Sequence, residues 1–156
     1  LSVKAHACAS GYEINGNEIN ALGRSVGGLT TKIHTLTDAL GNPIRFIITA
    51  GNVHDIVPSQ QLLEGITNAY ILADKAYFSE ENIKFLEENK NKPVIPAREN
   101  YTKGHNVDWH IYKERHLIEN FFSKIKHFRR VFSRFDKTCS AFLGFIALAS
   151  TFIWLR

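Results

Sequence analysis

In the first third of the chain, one segment alternates between apolar and polar residues, and this pattern predicts a strand. LTTKIHTLTD (29–38) alternates and is rich in Thr and Ile, and after the turn ALGN the segment PIRFIITAG (43–51) predicts a second strand. The two segments therefore predict a β-hairpin. LSVKAH (1–6) predicts the tail of an earlier strand. ASGYEINGNEINALGRSVGG (9–28) has no period and is rich in Gly, Asn and Ser, which predicts a loop.

The middle of the chain alternates short helices with short apolar runs. The expected elements are a helix at IVPSQQLLEGI (56–66) with Pro58 near its first turn, a buried strand at AYILADKAY (69–77), a helix at SEENIKFLEENK (79–90) that Ser79 caps with Glu in the capping-box region, and a buried strand at KPVIPAR (92–98). Strands that alternate with helices indicate a parallel part of a sheet, whereas the hairpin indicates an antiparallel part.

The last third of the chain predicts two helices joined by a basic link. ENYTKGHNVD (99–108) is a polar loop, and a long helix follows from Trp109 to about Phe128. RRVFSRFDKT (129–138) then leads to the apolar stretch CSAFLGFIALASTFIWLR (139–156). We expect one mixed α/β domain over its 156 residues, with helices flanking the sheet.

The terminal apolar stretch raises the question of a membrane span. It is slightly short for one and contains several Ser and Thr residues, so a buried core helix is the favoured interpretation and no membrane partner is expected. Cys8 and Cys139 match no metal or redox spacing, which favours a reduced, cytoplasmic setting. The chain contains no methionine, so we expect a fragment or a start downstream of the natural beginning.

Charge is unevenly distributed along the chain. The formal net charge is +4, of which residues 1–80 contribute −2 and residues 81–156 contribute +6. Residues 124–137 hold six basic side chains and one acid, Asp136. Such a concentration favours a polyanion as partner, although a solvated helix face gives the same pattern.

The long helix carries four polar side chains near one another. At 100° per residue, Tyr112, Arg115, Glu119 and Lys126 occupy a stripe of about 60° beside the apolar face. The stripe could carry chemistry at the margin of the core. Equally, Arg115 and Glu119 could form an ordinary ion pair between neighbouring turns.

Asp74 closes an apolar strand in ILADKAY. The carboxyl end of a strand in an α/β sheet is where ligands usually bind, and a carboxylate there is costly unless a cation meets it. Asp74 and Glu119 together would offer oxygen ligands that suit Mg²⁺ or Mn²⁺. The alternative is a loop or helix-capping aspartate.

Other candidate groups carry less weight. His34, His54 and Asp55 could touch a metal or a phosphate, but structural roles are the favoured interpretation. GRSVGG could cradle a phosphate beside Arg24, although the strand–loop–helix setting of a phosphate loop is missing.

Taken together, these segments resemble a known family. Tyr112, Arg115, Glu119 and Lys126 have the spacing of the Y-R-E-K signature of bacterial DDE-type insertion-sequence transposases, which have an RNase H-like catalytic core. GRSVGGLTTKIHTLTDALGNPIRFIITAGNVHD, ILADKAY, PVIPAREN and RHLIENFFSKIKHFRRVFSRFDK resemble the insertion-sequence-five family in order and spacing.

The resemblance implies roles for individual residues. Asp74 would be the second and Glu119 the third carboxylate that bind divalent metal during DNA cleavage and strand transfer. Tyr112, Arg115 and Lys126 would position or neutralise DNA near the cut. Further phosphate contacts would come from Arg24 and from the basic run between Lys124 and Lys137, which includes Arg129 and Arg130. DNA is the implied partner, with a homodimer as a possible assembly.

One part of the family pattern has no counterpart here. The first aspartate of the family would fall just before Leu1, and Asp38 does not match it. The resemblance thus implies a single partial RNase H-like catalytic domain over 1–156, truncated at the first strand and inactive in strand transfer as it stands. The alternative is a non-catalytic DNA-binding remnant or an inhibitor of a full-length transposase.

Overall fold

The computed structural model describes residues 1–10, 20–99, 101 and 106–155. The chain forms two compact units, which are described separately below. Unit 1 comprises Leu1–Val53 and Ile118–Arg156, and unit 2 comprises His54–Leu117. Parts of the two loops expected at 9–28 and 99–108 lie outside the described residues.

Within the described residues the strands are short except for the central hairpin. They are β1 Ser2–Ala5, β2 Gly23–Ser25, β3 Gly28–Thr37, β4 Pro43–Ala50, β5 Tyr70–Leu72, β6 Lys92–Val94 and β7 Ser133–Arg134. The α-helices are α1 Ser59–Leu62, α2 Glu80–Glu88, α3 Trp109–Tyr112, α4 His116–Ile125, α5 Arg129–Phe132 and α6 Cys139–Trp154. Single turns of 3₁₀ helix span Ala7–Ala9, Lys75–Tyr77 and Lys113–Arg115.

Unit 1 is organised by β3, which pairs along both of its edges. Thr30 is paired with both Lys4 and Gly23, so β1 lies on one edge of β3 and β2 on the other. Antiparallel β4 follows β2 along that second edge, and β7 adds to β1 in parallel. The sheet is therefore mixed, as predicted, and the hairpin of β3 and β4 is confirmed. The parallel strands expected from the middle of the chain, β5 and β6, form a separate two-stranded sheet, and the parallel pair in the mixed sheet is β1 with β7.

The core of unit 1 lies between this sheet and the helices α4, α5 and α6. Its buried side chains are Val3, Ile33, Phe121, Ile125, Val131, Phe142, Ile146 and Ala149. The final helix α6 buries one face, as expected of a core helix, while Leu148 and Phe152 on its other side are exposed. No helix among the described residues has the length and apolar character needed to cross a membrane.

Unit 2 contains the parallel pair β5 and β6 together with α2. Ser79 caps α2 as predicted, and its hydroxyl accepts a hydrogen bond from the main-chain N–H of Asn82 at 3.0 Å. The expected capping-box position is thus occupied by Asn82 and not by a glutamate. Glu80 and Glu81 lie in the first turn instead, where their charges favour the helix dipole.

Three further sequence-based expectations about local structure were wrong. Residues 23–25 form β2 and not loop, because pairing with β3 overrides their turn-like composition. The link 129–138 contains α5 and β7. The helix expected from Trp109 to about Phe128 changes to 3₁₀ geometry at Lys113–Arg115, and α4 runs only from His116 to Ile125.

A buried arginine connects the separate parts of unit 1. Arg134 on β7 is 0% exposed, and its guanidinium donates to Thr31 Oγ1 at 2.8 Å and to the main-chain oxygens of Asp136 at 2.9 Å and Lys137 at 3.2 Å. The guanidinium also lies over the ring of Phe142, at 5.2 Å from its centroid. It therefore joins the central strand to the segment that leads into α6.

Replacing Arg134 with methionine should destabilise unit 1 by about 3 kcal/mol, because several buried acceptors would lose their donor. Urea unfolding followed by circular dichroism measures this loss. Arg24→Met on the exposed surface of the same sheet is the matched control, with an expected change within about 0.5 kcal/mol. Equal losses in the two variants would contradict the structural role of Arg134.

The turn between β3 and β4 makes stability depend on acid pH. Burial works to raise the pKa of Asp38, but hydrogen bonds from Asn42 and Leu40 prevail and hold its pKa below the ordinary 3.8. A lowered pKa in the folded state stabilises the fold above the unfolded-state pKa, and the stabilisation disappears as pH falls through the folded value.

We therefore expect Asp38→Asn to lower the free energy of unfolding at pH 6 by more than it does near pH 2.5. Urea titrations of the parent chain and the variant at the two pH values measure the difference. A gap between the proteins that stayed constant across this range would show that the charge of Asp38 does not stabilise the turn.

Candidate active site and nucleic-acid-binding residues

Asp74 lies just beyond the carboxyl end of β5 in unit 2, as the sequence predicts. Its side chain is exposed and caps the 3₁₀ turn Lys75–Tyr77, with Oδ1 accepting from the N–H of Ala76 at 2.9 Å. The capping role that the sequence left open is therefore real. It occupies one carboxylate oxygen and leaves acceptor capacity on the group, so capping and metal binding are compatible.

The pKa of Tyr77 is affected by burial and by two carboxylates of unit 2. Burial raises the pKa of its phenol above the ordinary value, and the negative charges of Asp55 and Asp74 raise it further. A phenol is already protonated at neutral pH, and the raised pKa keeps the hydrogen on Tyr77 at more alkaline pH as well. On the sequence Asp55 was a weak candidate for touching a metal or a phosphate, with a structural turn favoured. Its electrostatic effect on Tyr77, beside Asp74, could not be read from the sequence and arises from folding.

Two buried polar side chains hold the Asp74 turn in place. Asn82 on α2 donates through Nδ2 to the carbonyl oxygen of Tyr77 at 2.9 Å and accepts through Oδ1 from Ser59 Oγ at 3.0 Å. Both side chains are nearly fully buried. Sequence reasoning missed this latch, although the i,i+4 spacing of Asn82 from buried Leu86 places an amide on the apolar face of α2.

Tyr112 and Arg115 are brought together in unit 2. The 3₁₀ turn places residues three apart nearly above each other, and the guanidinium of Arg115 lies 5.6 Å from the ring centroid of Tyr112. Trp109 packs edge-on against the same ring, with centroids 5.5 Å apart. The spacing of 100° per residue used for the sequence assumes an unbroken α-helix, and this 3₁₀ turn interrupts the helix. Helix geometry therefore does not support a common stripe of the four residues, and the stripe stays a prediction.

Glu119 lies in the first turn of α4, in unit 1, and is exposed. Lys124 is in the last turn of the same helix, and Lys126 follows its end at Ile125. The side chains of both lysines are exposed. The helix thus presents Glu119 and, in its last turn, Lys124 to solvent, and Lys126 is exposed just after its end.

The basic run after α4 divides into exposed and buried cations. Arg129 is exposed, and Arg130 lies over the ring of Phe145 at 4.3 Å and 3.8 Å from Asp136 Oδ1. Arg134 is buried in unit 1, so the expectation that the whole run lies along phosphates was wrong at this residue. Successive side chains on a strand point to opposite faces, and on β7 the side chain of Arg134 is the buried one. The charges counted along the sequence do not reveal this burial.

Arg24 is exposed on β2, but its glycine-rich surroundings form a tight hairpin and not a phosphate loop. Ser25 pairs with Gly28, and Gly28 has a φ of 93°, a backbone conformation that favours glycine. A side chain at Gly23 would collide with Asn52. The glycines therefore serve the turn and a close approach of chain segments.

The histidines considered on the sequence have structural surroundings. His34 is buried on β3, and its Nε2 lies 2.9 Å from Thr49 Oγ1 on the paired strand. His54 lies in a turn in which its carbonyl oxygen accepts from the N–H of Val57 at 3.1 Å. Both observations agree with the structural interpretation favoured from the sequence.

Asp74 and Glu119 have the chemical character of ligands for a divalent ion. Asp74 and Glu119 are exposed and supply the oxygen ligands that Mg²⁺ and Mn²⁺ prefer. Across residues 1–10, 20–99, 101 and 106–155, no three His, Cys, Asp or Glu side chains lie close enough to hold an ion together. Asp74 belongs to unit 2 and Glu119 to unit 1.

Comparison with known proteins identifies the class of this chain. Residues 15–152 match the family described as "Transposase DDE domain". A protein of Brucella ovis assigned as the transposase of insertion sequence element IS6501 is 40% identical over 131 residues, which cover 82% of this chain and 100% of that protein. No solved structure matches.

Two further relatives are more distant and longer. One is assigned as the transposase of element IS402 in Burkholderia cepacia, with 27% identity over 79% of this chain and 62% of its own length. The transposase for element IS1106 in Neisseria meningitidis serogroup B is 29% identical over 76% of this chain and 41% of its own length. The chain spans less than two thirds of both.

The chain therefore belongs to the DDE transposase domain family, and its relatives are transposases of insertion sequences. The sequence-based identification as a DDE-type insertion-sequence transposase is confirmed.

Removing the Asn82 latch should loosen the turn that carries Asp74. We expect Asn82→Ala to cost about 2 kcal/mol, since two buried partners lose their hydrogen bonds. Hydrogen exchange at the Ala76 amide, which donates to Asp74, should accelerate in the variant. Lys84→Ala on the exposed side of α2 serves as control, and an unchanged Ala76 amide in Asn82→Ala would contradict the latch.

Proposed function

We propose that the chain is the RNase H-like catalytic part of an insertion-sequence-five transposase that cleaves DNA and transfers strands with a divalent metal in the bacterial cytoplasm. The observation that carries this proposal is the match to the DDE transposase domain over 15–152, a range that includes Asp74 and Glu119. The mixed sheet with flanking helices is compatible with an RNase H-like fold.

Asp74 and Glu119 are proposed as the second and third carboxylates of the metal site, with Mg²⁺ or Mn²⁺ as the ion. When bound, the ion would supply Lewis-acid stabilisation of the reacting phosphate and make water or a 3′-hydroxyl a better nucleophile. The contribution of the chain is orientation. The Ala76 N–H fixes one oxygen of Asp74, and the Asn82 latch fixes the turn beneath it.

Tyr112 and Arg115 are proposed to contact DNA near the cut, as the Y-R-E-K signature implies. A guanidinium can donate two parallel hydrogen bonds to a phosphate while its face remains on an aromatic ring. The contact between Arg115 and Tyr112 supports this role because the ring limits the rotamers of the arginine before DNA arrives. Lys126 is proposed as the fourth member of the signature.

Lys124, Arg129 and Arg130 are proposed to contact DNA phosphates outside the cut site, and Arg24 is proposed as a further contact. Their exposure and positive charge support sequence-independent contacts to the backbone. The packing of Arg130 on Phe145 orders that side chain in advance. Arg134 is left out of this surface because it is buried.

A cleavage assay tests the carboxylates. We expect Asp74→Asn and Glu119→Gln, each in the transposase expressed from its complete reading frame, to lower Mg²⁺-dependent cleavage of insertion-sequence ends by more than about a hundredfold. Mutating a residue that merely supports a metal ligand already lowers metal affinity or activity by about ten- to a hundredfold. Binding of the same DNA, followed by gel mobility, should be nearly unchanged.

Glu88→Gln on α2 is the control and should leave cleavage intact. Wild-type cleavage rates in either site variant would refute the metal-ligand assignment. DNA binding without any metal-dependent cleavage by the parent transposase would instead favour a non-catalytic DNA-binding protein.

A further inference from the structure

An open cavity of about 400 Å³ in unit 2 adjoins the residue that follows Asp74. Lys75, Ala76, Arg98 and Glu99 line it. Lys75 and Ala76 belong to the turn after β5, and Arg98 and Glu99 follow β6. Because β5 and β6 are parallel, these segments leave the same end of the strand pair, where α/β proteins commonly bind ligands.

The two sides of the cavity are held to each other. Arg98 approaches the carbonyl oxygen of Ala76 at 3.4 Å, and its own carbonyl oxygen accepts from the N–H of Tyr101 at 2.9 Å. The ring of Tyr101 packs edge-on against buried Phe78, with centroids 4.8 Å apart. Arg98 is thereby tethered on the side of the turn that Asp74 caps.

The side chains that line the cavity are of the kinds that bind oxygen-rich anions. Apart from Ala76, the lining residues are charged, and two of the three charges are positive. Arginine offers a planar fork of donors that matches phosphate, while lysine adds a compact charge. The pairing supplies both geometric and electrostatic recognition of a phosphate.

The carboxylate in the cavity has a different role. Glu99 Oε1 lies 3.1 Å from Lys75 Nζ, and the two side chains are 88% and 65% exposed. Exposed ion pairs of this kind contribute little stability, so an incoming phosphate can displace Glu99 from the lysine. Glu99 then acts as a weak competitor for the cation that the anion needs.

We propose that Lys75 and Arg98 form a subsite for a backbone phosphate of the DNA substrate beside Asp74, with Glu99 occupying the lysine when DNA is absent. This proposal rests on the proposed function, because it takes DNA as the substrate. The subsite would position the backbone next to a proposed metal-binding carboxylate without reading the base sequence.

Salt-dependent DNA binding by the transposase from its complete reading frame tests the subsite. The plot of log K against log salt has a negative slope, and Lys75→Ala and Arg98→Ala should each make it shallower by about 0.9. Each variant should also weaken binding about tenfold near 0.1 M salt. Glu99→Gln should strengthen binding, since it releases the lysine. A role limited to folding predicts losses in all three variants, so the opposite sign for Glu99 identifies the subsite.

Lys84 and Glu88 on α2 provide matched controls, because they form a similar exposed pair at 3.7 Å. Lys84→Ala and Glu88→Gln should leave the slope unchanged. If Arg98→Ala fails to fold, the Lys75 and Glu99 variants still decide.

An unchanged slope in Lys75→Ala, or weaker binding in Glu99→Gln, would overturn the subsite. In that case, continued loss of cleavage in Asp74→Asn would leave the proposed catalytic function standing. The two proposals can therefore fail separately.

Discussion

The buried guanidinium of Arg134 is the constraint on which the arrangement of unit 1 depends. A charge without exposure to water is tolerated only where hydrogen bonds replace its hydration, and here Thr31 and the main chain at Asp136 and Lys137 supply them. The contacts come from the central strand and from the approach to α6. The two-residue strand β7 can therefore stay paired with β1 although it is so short. The segment with the exposed cations that precedes β7 is thereby held at its carboxyl end.

The long elements of the fold were accessible from the sequence because their periods repeat several times. β3 and β4 span ten and eight residues rich in Thr and Ile on either side of a turn, and α2 has a recognisable cap at Ser79. By contrast, β2 and β7 have three and two residues, too few for a period to be visible, and they exist because a neighbouring strand offers hydrogen bonds. The 3₁₀ turn within the long helix likewise leaves no trace in composition.

In the candidate site, too, features set by neighbouring residues could be predicted, whereas features set by contacts between distant segments could not. The position of Asp74 after an apolar run is local, and the sequence located it correctly. The latch of Ser59 and Asn82 joins residues 23 positions apart, and the influence of Asp55 on Tyr77 also comes from another segment. Charge counts could not separate buried Arg134 from its exposed neighbours, because burial is decided by which strand pairs with which.

The amide of Asn82 also limits which substitutions this chain can accept. It must accept from Ser59 on one side and donate to the Tyr77 carbonyl on the other, so its two ends are not interchangeable. Exchanging the NH₂ group for oxygen, the smallest possible step to aspartate, would set acceptor against acceptor at a buried side chain. A change of a few atoms, with almost no change of volume, would thus be felt at the turn that carries Asp74.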